Sequence, residues 1–561
     1  MSLKAIAQLV ALCSKKGIQH AILSPGSRCA PVTLAFVRHP KIHARTVSDE
    51  RSAAFIGLGM AQQLDKAVAL VCTSGSAAYN YAPAIAEAFF QQIPLLVITA
   101  DRPPEWIDQW DGQTIRQSGI YGNHIKGSFN FPDEFGHPDK LWHANRIANE
   151  AINLAHQFPA GPVHINIPLR EPFYPEDGQV FDYESNVRSI DPLYSNPPLE
   201  VEVRQKVQAR LEKFNRILIL PGQQKPNPKI QELLKRISKN NQAIIVTDSI
   251  SNLQDVNTVS FHDHFLGIEK FQEELQPDLI ISFGKSIISK GLKLFLRKSK
   301  AEHWHIQAQG YFPDTFQNLS RSIQCTPEYF LNFALDHLQS DLNFVNKWKG
   351  LNEKISIALP KIISEADFGE YKALSTCLKQ IPAYSKLHLA NSMTVRYVNF
   401  LGKKHQEIIC NRGTSGIDGS NSTAVGCTFT TKDPVTLVTG DMAFFYDRNA
   451  FWHNYPMNNL RIILLNNQAG GIFRLIDGPS RQPELEEFFE TKQKLTASYL
   501  AQEFGFEYHL ATEENSLEMG LKNFYNKSIH PKILEIRTES PKNAEILKWV
   551  KSEIQKLFDL L

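Results

Sequence analysis

Two predicted strand ends near the carboxyl terminus carry oxygen ligands at a spacing that suits a metal ion. Residues 436–439 predict a buried strand that ends at Asp441, and residues 461–465 predict another that ends at Asn467. Open α/β sheets bind ligands at the carboxyl ends of their strands. Mg²⁺ takes roughly six oxygen ligands and shares its shell with phosphates. Asp441, Asn467 and the backbone carbonyl of Ala469 therefore predict a metal site with room for a diphosphate. The alternative is a plain turn at each strand end.

Four arginines stand near predicted ligand-binding loops. Arg28, Arg102 and Arg412 follow predicted strand ends, and Arg396 lies four residues after Ser392, so those two share one helix face. Guanidinium groups bind carboxylates in a bidentate manner. Taken singly, each arginine could be an ordinary surface residue. Together they indicate a substrate that carries several carboxylates.

The composition indicates a globular protein of several domains. A chain of 561 residues is too long for one core. The net charge of +2 gives no support for a nucleic-acid or membrane partner, and no apolar run is long enough to predict a membrane span. The seven cysteines form no Cys-x-x-Cys pair, and the amino terminus lacks an export signal. We therefore expect scattered buried thiols and a cytoplasmic location.

The elements that position these residues alternate between strands and helices in three segments. This alternation predicts an α/β protein with three doubly wound parallel-sheet domains, at 1–185, 199–340 and 375–561. A linker is predicted at 191–198 and a helical connection at 340–380. Other predicted helices lie at 52–63, 76–92 and 444–454. The remaining strands are predicted at 21–23, 68–72, 95–99, 163–167, 216–220, 243–247, 279–283, 303–306, 407–410 and 533–537.

Several motifs resemble those of thiamine-diphosphate-dependent enzymes. Gly-Asp at 440–441 and Asn-Asn at 466–467 are similar to the signature with which that family holds the diphosphate through a metal. Met442 stands where most members have a glycine, and an apolar residue there resembles one branch, the 2-succinyl-5-enolpyruvyl-6-hydroxy-3-cyclohexene-1-carboxylate (SEPHCHC) synthases of menaquinone biosynthesis. The likeness extends over essentially the whole chain. Its motifs include Ser-Pro-Gly-Ser-Arg, Asp-Glu-Arg, Thr-Ser-Gly, Ala-Asp-Arg-Pro-Pro-Glu, Ile-Arg-Gln and Asn-Arg-Gly-x-Ser-Gly-Ile-Asp-Gly.

The resemblance implies thiamine diphosphate and Mg²⁺ or Mn²⁺ as cofactors. It implies that Glu50 is the catalytic acid that hydrogen-bonds the aminopyrimidine ring, whereas on position alone Glu50 could equally be a helix-start acid. The loop Thr73, Ser74 and Gly75 would pack beside that ring, and Ile417 would wedge the cofactor into its bent shape. The other implied cofactor residues are Gly413, Ser415, Gly440, Asp441, Met442, Asn467 and Ile472.

The resemblance also implies how substrates are held. Lys290 competes for its role with Lys285, and Gly112 stands where the family usually has asparagine. The loop after Asn467 reads Gln-Ala-Gly-Gly where the family usually has Asn-Gly-Gly-Gln, which leaves Ala469 as a ligand through its backbone only. The implied substrate residues are Arg28, Arg102, Gln113, Lys290, Ser392, Arg396, Arg412 and Phe473.

The implied reaction is decarboxylation of 2-oxoglutarate and 1,4-addition of the succinyl unit to isochorismate. The three domains would be pyrimidine-binding, central and diphosphate-binding, and a homodimer or homotetramer would place the site at a subunit interface. One alternative is another 2-oxoacid decarboxylase or an acetohydroxyacid synthase, which acts on smaller monocarboxylates. A second is a non-catalytic protein of the same fold. A nicotinamide-binding protein is a further alternative, but no Gly-x-Gly-x-x-Gly follows the first strand.

Overall fold

The computed structural model describes residues 2–171, 173–176, 180–194 and 198–559. These residues form three sheets in which all neighbouring strands run parallel. The predicted class, three doubly wound parallel α/β sheets, is confirmed. The domain boundaries stay predictions, and residues 195–197 of the predicted linker lie outside the described residues.

The first sheet has six strands in the order β2-β1-β3-β4-β6-β5. Its central strands are continuous apolar runs such as Val-Ala-Leu-Val-Cys, as expected for parallel strands covered on both faces. The strands are β1 (His20–Leu23), β2 (His43–Thr46), β3 (Val68–Cys72), β4 (Leu95–Asp101), β5 (Ser128–Asn130) and β6 (Pro162–Pro168). The helices are α1 (Ser2–Lys15), α2 (Ala30–Arg38), α3 (Glu50–Leu64), α4 (Ser76–Asn80), α5 (Ala82–Gln91) and α6 (Pro138–His156).

The central sheet has five strands in the order β11-β10-β9-β7-β8. The strands are β7 (Ile217–Pro221), β8 (Ile244–Ile245), β9 (Leu279–Phe283), β10 (Glu302–Ile306) and β11 (Leu319–Ile323). Its helices are α7 (Val201–Leu211), α8 (Pro228–Lys239), α9 (Lys290–Arg297) and α10 (Pro327–Ala334), and the long α11 (Leu342–Glu365) leads to the third sheet.

The third sheet has six strands in the order β13-β12-β14-β15-β17-β16. The strands are β12 (Lys386–Leu389), β13 (Glu407–Ile409), β14 (Val435–Gly440), β15 (Leu460–Asn466), β16 (Glu507–Ala511) and β17 (Lys532–Arg537). The helices are α12 (Glu370–Gln380), α13 (Met393–Phe400), α14 (Ser420–Thr428), α15 (Asp441–Tyr446), α16 (Ala497–Phe504), α17 (Glu514–Leu521) and α18 (Ser540–Asp559).

The first and third sheets share one topology. In each, the chain starts at an inner strand, moves to one edge and then crosses to the other side, so the direction of winding reverses between the same two strands. Ligands of such sheets bind at this reversal, beyond the carboxyl ends of the strands. The reversal lies between β1 and β3 in the first sheet and between β12 and β14 in the third.

The first and third sheets pack together through α3 and α14, which approach closely at glycines. A Cβ added to Gly59 would lie 2.1 Å from the carbonyl oxygen of Thr423, and one added to Gly426 would lie 2.1 Å from that of Ile56. Buried residues from both sheets form one hydrophobic cluster around this crossing. The crossing therefore fixes the two sheets relative to each other.

Two predicted helices differ from the structure. The helix predicted at 76–92 is divided at Tyr81, just before Pro83, into α4 and α5. The helix predicted at 444–454 begins earlier, at Asp441, and continues after Tyr446 as a 3₁₀ turn at Arg448–Phe451. Among the described helices, none is long and apolar enough to cross a membrane.

Candidate active site

Loops after four neighbouring strands of the third sheet enclose a cavity of about 440 Å³. In spatial order these strands are β13, β12, β14 and β15. The chain that follows each of them contributes, in the same order, Arg412, Ser392, Asp441 and Asn467 to the cavity. The sequence-predicted residues that line the cavity are Ser392, Arg396, Arg412, Ser415, Ile417, Gly440, Asp441, Met442, Asn467, Ala469, Ile472 and Phe473.

The predicted metal ligands lie together in this cavity. Asp441 is buried and accepts hydrogen bonds from the backbone N–H of Met442 at 2.9 Å and from the Gln493 amide at 2.8 Å. The amide oxygen of Asn467 accepts from the backbone N–H of Ala469 at 3.0 Å. A carboxylate, an amide oxygen and a nearby backbone carbonyl are the hard oxygen donors that Mg²⁺ and Mn²⁺ favour, so the residues present fit such an ion.

Glu370, at the start of α12, is a second carboxylate beside the predicted metal ligands. Its side chain is 3% exposed and accepts a hydrogen bond of 2.7 Å from the Asn467 amide nitrogen. This contact holds the nitrogen of Asn467 on the Glu370 side, while its oxygen accepts from the backbone N–H of Ala469. Glu370 thus orients one predicted metal ligand, in the way that outer-shell groups commonly do.

Burial dominates the electrostatics of the two carboxyl groups. Desolvation raises the pKa of Asp441 to about 6, while the hydrogen bond from Gln493 acts in the opposite direction. Desolvation, and then the neighbouring Asp441, raise the pKa of Glu370 to about 7. Two buried carboxyl groups whose charged forms are disfavoured by burial form an environment that a cation would stabilise.

Arg396 and Arg412 bring positive charge to the same cavity. Desolvation, and then Arg412, lower the pKa of Arg396. Arg396 donates to the carbonyl of Ser392 at 2.6 Å, and Arg412 donates through Nη1 to the amide oxygen of Asn391 at 2.9 Å. The buried Nε of Arg412 has no hydrogen-bond partner within the described chain. Because Arg396 and Arg412 both line the cavity, their positive charges could be met by an anionic ligand there.

Three non-glycine residues of these loops adopt left-handed backbone conformations. Ser392, Ser415 and Gln468 have φ values of 70°, 63° and 60°. Such conformations are uncommon for residues with a Cβ and concentrate at binding sites. All three lie in segments that contribute walls to the cavity, so the backbone here is shaped for the site at a local energetic cost.

The first sheet presents a second group of predicted residues at its own carboxyl edge. Glu50 begins α3 and accepts a long contact of 3.4 Å from the Asn80 amide, while Asp49 caps the helix by accepting from the backbone N–H groups of Arg51 and Ser52. Asp49 therefore satisfies the helix start, which leaves the Glu50 carboxylate available for another partner. The buried loop Thr73, Ser74 and Gly75 follows β3 on the same edge.

The other predicted residues of this edge have partners within the chain. Arg28 is buried, donates to the carbonyl of Leu169 at 2.6 Å and lies over the Phe173 ring. Arg102 is paired with Asp111 and also donates to the carbonyl of Gly112 at 2.7 Å. The exposed Gln113 has its backbone against Gly75, where an added Cβ would approach it to 3.3 Å.

The structure does not bring every predicted residue into one cavity. Glu50, Thr73–Gly75, Arg28, Arg102 and Gln113 do not line the cavity at Asp441, whose described walls come from residues 370–491. Lys290, at the exposed start of α9, is also outside that lining. The roles predicted for these residues stay predictions.

A second cavity of about 270 Å³ lies beside the first, between all three sheets. Arg412 lines both cavities, and Gly413 lines the second. Lys285 and Lys293 line the second cavity as well, and desolvation followed by Arg412 lowers the pKa of Lys293. Sequence reasoning named Lys285 only as the competitor of Lys290 and missed Lys293.

Three further residues at the first cavity were missed by sequence reasoning. Glu370 and Gln493 contact predicted metal ligands, and Phe489 contributes to the cavity wall beside Phe473. Gln493 and Phe489 lie in the segment between β15 and α16, where no local pattern marks a contact. Glu370 opens an ordinary amphipathic helix, so only its long-range contact with Asn467 reveals it.

Comparison with known proteins identifies the family. Residues 3–120 match the model of the thiamine pyrophosphate enzyme N-terminal TPP binding domain, and residues 205–389 match that of the middle domain of thiamine pyrophosphate enzymes. A curated protein of Cytophaga hutchinsonii, named 2-succinyl-5-enolpyruvyl-6-hydroxy-3-cyclohexene-1-carboxylate synthase, is 46% identical over 99% of this chain and 100% of its own length. The chain belongs to the SEPHCHC synthase family.

Further relatives agree with this membership. Proteins of the same name from Christiangramia forsetii and Porphyromonas gingivalis are 39% and 37% identical. They cover 96% and 97% of this chain, and 96% of their own length in both cases. The predicted family is therefore confirmed, and the three parallel sheets agree with a thiamine-pyrophosphate enzyme.

Proposed function

We propose that this chain is a SEPHCHC synthase, which decarboxylates 2-oxoglutarate and adds the resulting succinyl unit to isochorismate by 1,4-addition in menaquinone biosynthesis. The observation that carries the proposal is the pairing of Arg396 and Arg412 with Asp441 and Asn467 in one cavity. A metal–diphosphate site beside two guanidinium groups suits substrates with several carboxylates. A pocket for pyruvate would need fewer cations.

Thiamine diphosphate and Mg²⁺ or Mn²⁺ are the proposed cofactors. Asp441, Asn467 and the carbonyl of Ala469 would hold the metal, with Glu370 fixing the orientation of Asn467. When bound, thiamine diphosphate supplies a carbon nucleophile that attacks the ketone of a 2-oxoacid and accepts its electrons on loss of carbon dioxide. The apolar side chains of Ile417, Ile472 and Phe473 line this cavity and would help exclude water from it.

The side chains of this chain would bind and orient the substrates and move one proton. Arg396 and Arg412 would bind substrate carboxylates, since both line the cavity. Glu50 would hold a proton against a ring nitrogen of the cofactor's aminopyrimidine, since its helix is already capped by Asp49. Arg28, Arg102, Gln113 and Lys290 would add further contacts from the first and central domains.

A homodimer or homotetramer is the proposed assembly. The Glu50 edge and the Asp441 cavity belong to one chain, yet Glu50 does not line that cavity. A second copy that presents its Glu50 edge to the Asp441 cavity would complete two equivalent sites by symmetry. The proposed domains are pyrimidine-binding at 1–185, central at 199–340 and diphosphate-binding at 375–561, and the seven buried free thiols agree with a cytoplasmic location.

The direct test supplies purified protein with thiamine diphosphate, Mg²⁺ and 2-oxoglutarate, with and without isochorismate. Carbon dioxide release should be slow with 2-oxoglutarate alone and should rise when isochorismate is added. Mass spectrometry should then detect a succinylated cyclohexene product. Faster consumption of pyruvate than of 2-oxoglutarate, with no effect of isochorismate, would favour a different 2-oxoacid decarboxylase.

The shared site has its own test. Glu50→Gln and Asp441→Ala should each be inactive alone, because every site lacks one essential group. Dissociating and mixing the two variants should restore activity to about a quarter of the wild-type value, since half of randomly paired dimers carry one intact site of two. No recovery in verified mixed dimers would show that both groups act within one chain.

A further inference from the structure

Glu87 is a buried carboxylate in the first domain that none of the roles above uses. It lies on α5 and is 1% exposed. Its oxygens accept hydrogen bonds from the backbone N–H of Gly413 at 2.8 Å, from the backbone N–H of Thr414 at 2.6 Å and from the Thr414 hydroxyl at 2.7 Å. A fourth bond of 2.6 Å comes from the Gln91 amide. Three of the four donors therefore belong to the loop that carries Arg412.

Residues of all three domains contact Arg412 or the backbone that follows it. Glu87 of the first domain binds the two N–H groups that follow Arg412 in the chain. Ser286 of the central domain donates its hydroxyl to the Arg412 carbonyl at 2.9 Å. Asn391 of the third domain accepts from the Arg412 guanidinium at 2.9 Å. Arg412 is thus held at both ends, and its remaining freedom is small.

The contact between Glu87 and the loop is also sterically close. A Cβ added to Gly413 would lie 2.6 Å from the backbone oxygen of Glu87 and 3.1 Å from its carboxyl carbon. Hydrogen bonds from N–H groups to an ionised carboxylate are stronger than those between neutral groups. Glu87 therefore combines a short approach with strong directional contacts at the one loop that bounds both cavities.

We propose that Glu87 is a positioning residue that sets the direction of the Arg412 guanidinium in the substrate cavity. It acts through the Gly413–Thr414 backbone and determines how well Arg412 meets the carboxylate of one substrate. This inference rests on the proposed function of the cavity. A purely structural role, in which Glu87 only holds the first and third domains together, makes different predictions.

The first test measures steady-state kinetics of Glu87→Gln in the assembled holoenzyme. The carboxamide keeps the shape of the side chain but turns an NH₂ group toward donors of the loop, so at least one contact is lost. The KM for one of the two substrates should rise about tenfold, as expected for the loss of one charge-assisted contact. The value of kcat and the affinity for thiamine diphosphate, measured by fluorescence titration, should change less than twofold. An unchanged KM for both substrates would overturn the proposal.

A matched control is Asp447→Asn in the third domain. Asp447 is also a fully buried carboxyl group that accepts from one backbone N–H and one hydroxyl, those of Ser422, at 2.7 and 2.8 Å, although desolvation raises its pKa to about 7. It does not contact the Arg412 loop. We expect this variant to lose thermal stability while both KM values stay at the wild-type level. A KM rise equal to that of Glu87→Gln would show that the effect is general loosening.

A double-mutant cycle with Arg412→Ala separates positioning from structure. If Glu87 acts through Arg412, Glu87→Gln should add nothing to the KM of the Arg412→Ala variant. Additive effects of the two substitutions would contradict the proposal. Should Glu87→Gln fail to fold, Thr414→Val removes only the hydroxyl contact and should raise the same KM by a smaller factor, whereas Thr414→Ser should restore it.

Hydrogen exchange gives a readout that does not depend on the reaction. The amides of Gly413 and Thr414 donate to Glu87, so a peptide covering 411–416 should exchange at least several-fold faster in Glu87→Gln and unchanged in Asp447→Asn. If the wild-type protein does not use 2-oxoglutarate with isochorismate, the proposed function fails while this measurement still decides whether Glu87 anchors the loop. Unchanged exchange would refute the anchoring itself.

Discussion

Replacing Arg412 by alanine tests whether the cavity at Asp441 binds a carboxylate. Arg412 is 9% exposed, and its guanidinium makes one described hydrogen bond, to Asn391, while its Nε is unpartnered. One charge-assisted hydrogen bond to a substrate contributes roughly 1.5–3 kcal/mol, which corresponds to about a 10- to 150-fold change in affinity. Arg396 lines the same cavity and would still offer one guanidinium after the substitution, so we expect a loss near the lower end of this range.

The assay measures KM and kcat separately for 2-oxoglutarate and isochorismate in Arg412→Ala, together with the affinity for thiamine diphosphate. One substrate should show a KM higher by about tenfold or more, and the other should change little, because one guanidinium faces one carboxylate. The variant should fold, since Asn391 keeps two further hydrogen bonds, to the carbonyls of Asn411 and Gly416.

Arg461 offers a matched control in the same domain. It is equally buried, but its guanidinium donates to the backbone carbonyls of Phe524, Asn458, Leu460 and Asn526 and lies outside the lining of the cavity. Arg461→Ala should lower the melting temperature and leave both KM values unchanged. Equal KM increases for both substrates in Arg412→Ala, or a matching fall in cofactor affinity, would refute the assignment of Arg412 to one substrate carboxylate.

Four further substitutions or labelling experiments address other parts of the molecule. Glu50→Gln should retain cofactor binding but slow exchange of the thiazolium proton measured by NMR; wild-type exchange would exclude Glu50 from that role. Asp441→Ala should weaken cofactor binding in a calorimetric titration, with partial recovery at excess Mg²⁺, whereas chelator-insensitive wild-type binding would mean that the metal lies elsewhere. Gly59→Ala should destabilise the protein by about 1–3 kcal/mol in denaturant unfolding, because its Cβ would meet a backbone oxygen at 2.1 Å. Lys285 is exposed as a residue, but its Nζ donates to the backbone carbonyl of Gln91, and desolvation, followed by Lys225, lowers its pKa to about 8. It should therefore be acylated at pH 8 faster than most lysines when peptides are mapped by mass spectrometry.

The sequence allowed the inner strands and their polar ends to be predicted because both features are local. The strands β3, β4, β14 and β15 are apolar runs that stop at Thr73, Arg102, Asp441 and Asn467. A parallel sheet brings its carboxyl ends to one edge, so placing these residues needed no tertiary information. Twelve of the predicted residues line one cavity for this reason.

Four of the six edge strands were not among the predicted ranges, because they lack a continuous apolar run, whereas the edge strands β8 and β13 were predicted at 243–247 and 407–410. The strand β2 reads His-Ala-Arg-Thr and β11 reads Leu-Ser-Arg-Ser-Ile, and both lie at sheet edges where one side is uncovered. The division of residues 76–92 at Tyr81 was also missed, although Pro83 marks it. In each case the structure of the segment depends on how it packs in the folded chain, which its own residue pattern does not show.

Glu87 and Glu370 illustrate a different limit. Glu87 stands alone in the apolar run Ala-Ile-Ala-Glu-Ala-Phe-Phe, and a single acid in such a run is a signal that could have marked a buried partner. Its partners Gly413 and Thr414 are more than three hundred residues away in the chain, so their identity requires the structure. Glu370 has no such signal, because the helix that it opens has an ordinary amphipathic pattern.

The repeated topology explains why one chain can carry two chemically different edges. In sheet order, Glu50, Arg28, Thr73 and Arg102 follow β2, β1, β3 and β4, and Arg412, Ser392, Asp441 and Asn467 follow the corresponding β13, β12, β14 and β15. The two sets of residues therefore occupy corresponding strand ends, but their side chains differ. A loop of small residues follows β3, whereas the carboxylate of Asp441 follows the corresponding strand β14. The fold determines where a ligand can bind, and the residues at each strand end determine which part of the ligand they contact. The cavity of the third sheet takes its described walls from residues 370–491, so the edge that carries Glu50 does not line it within one chain. This separation of Glu50 from the Asp441 cavity within one chain is the main reason to test for a complete site between two copies of the chain.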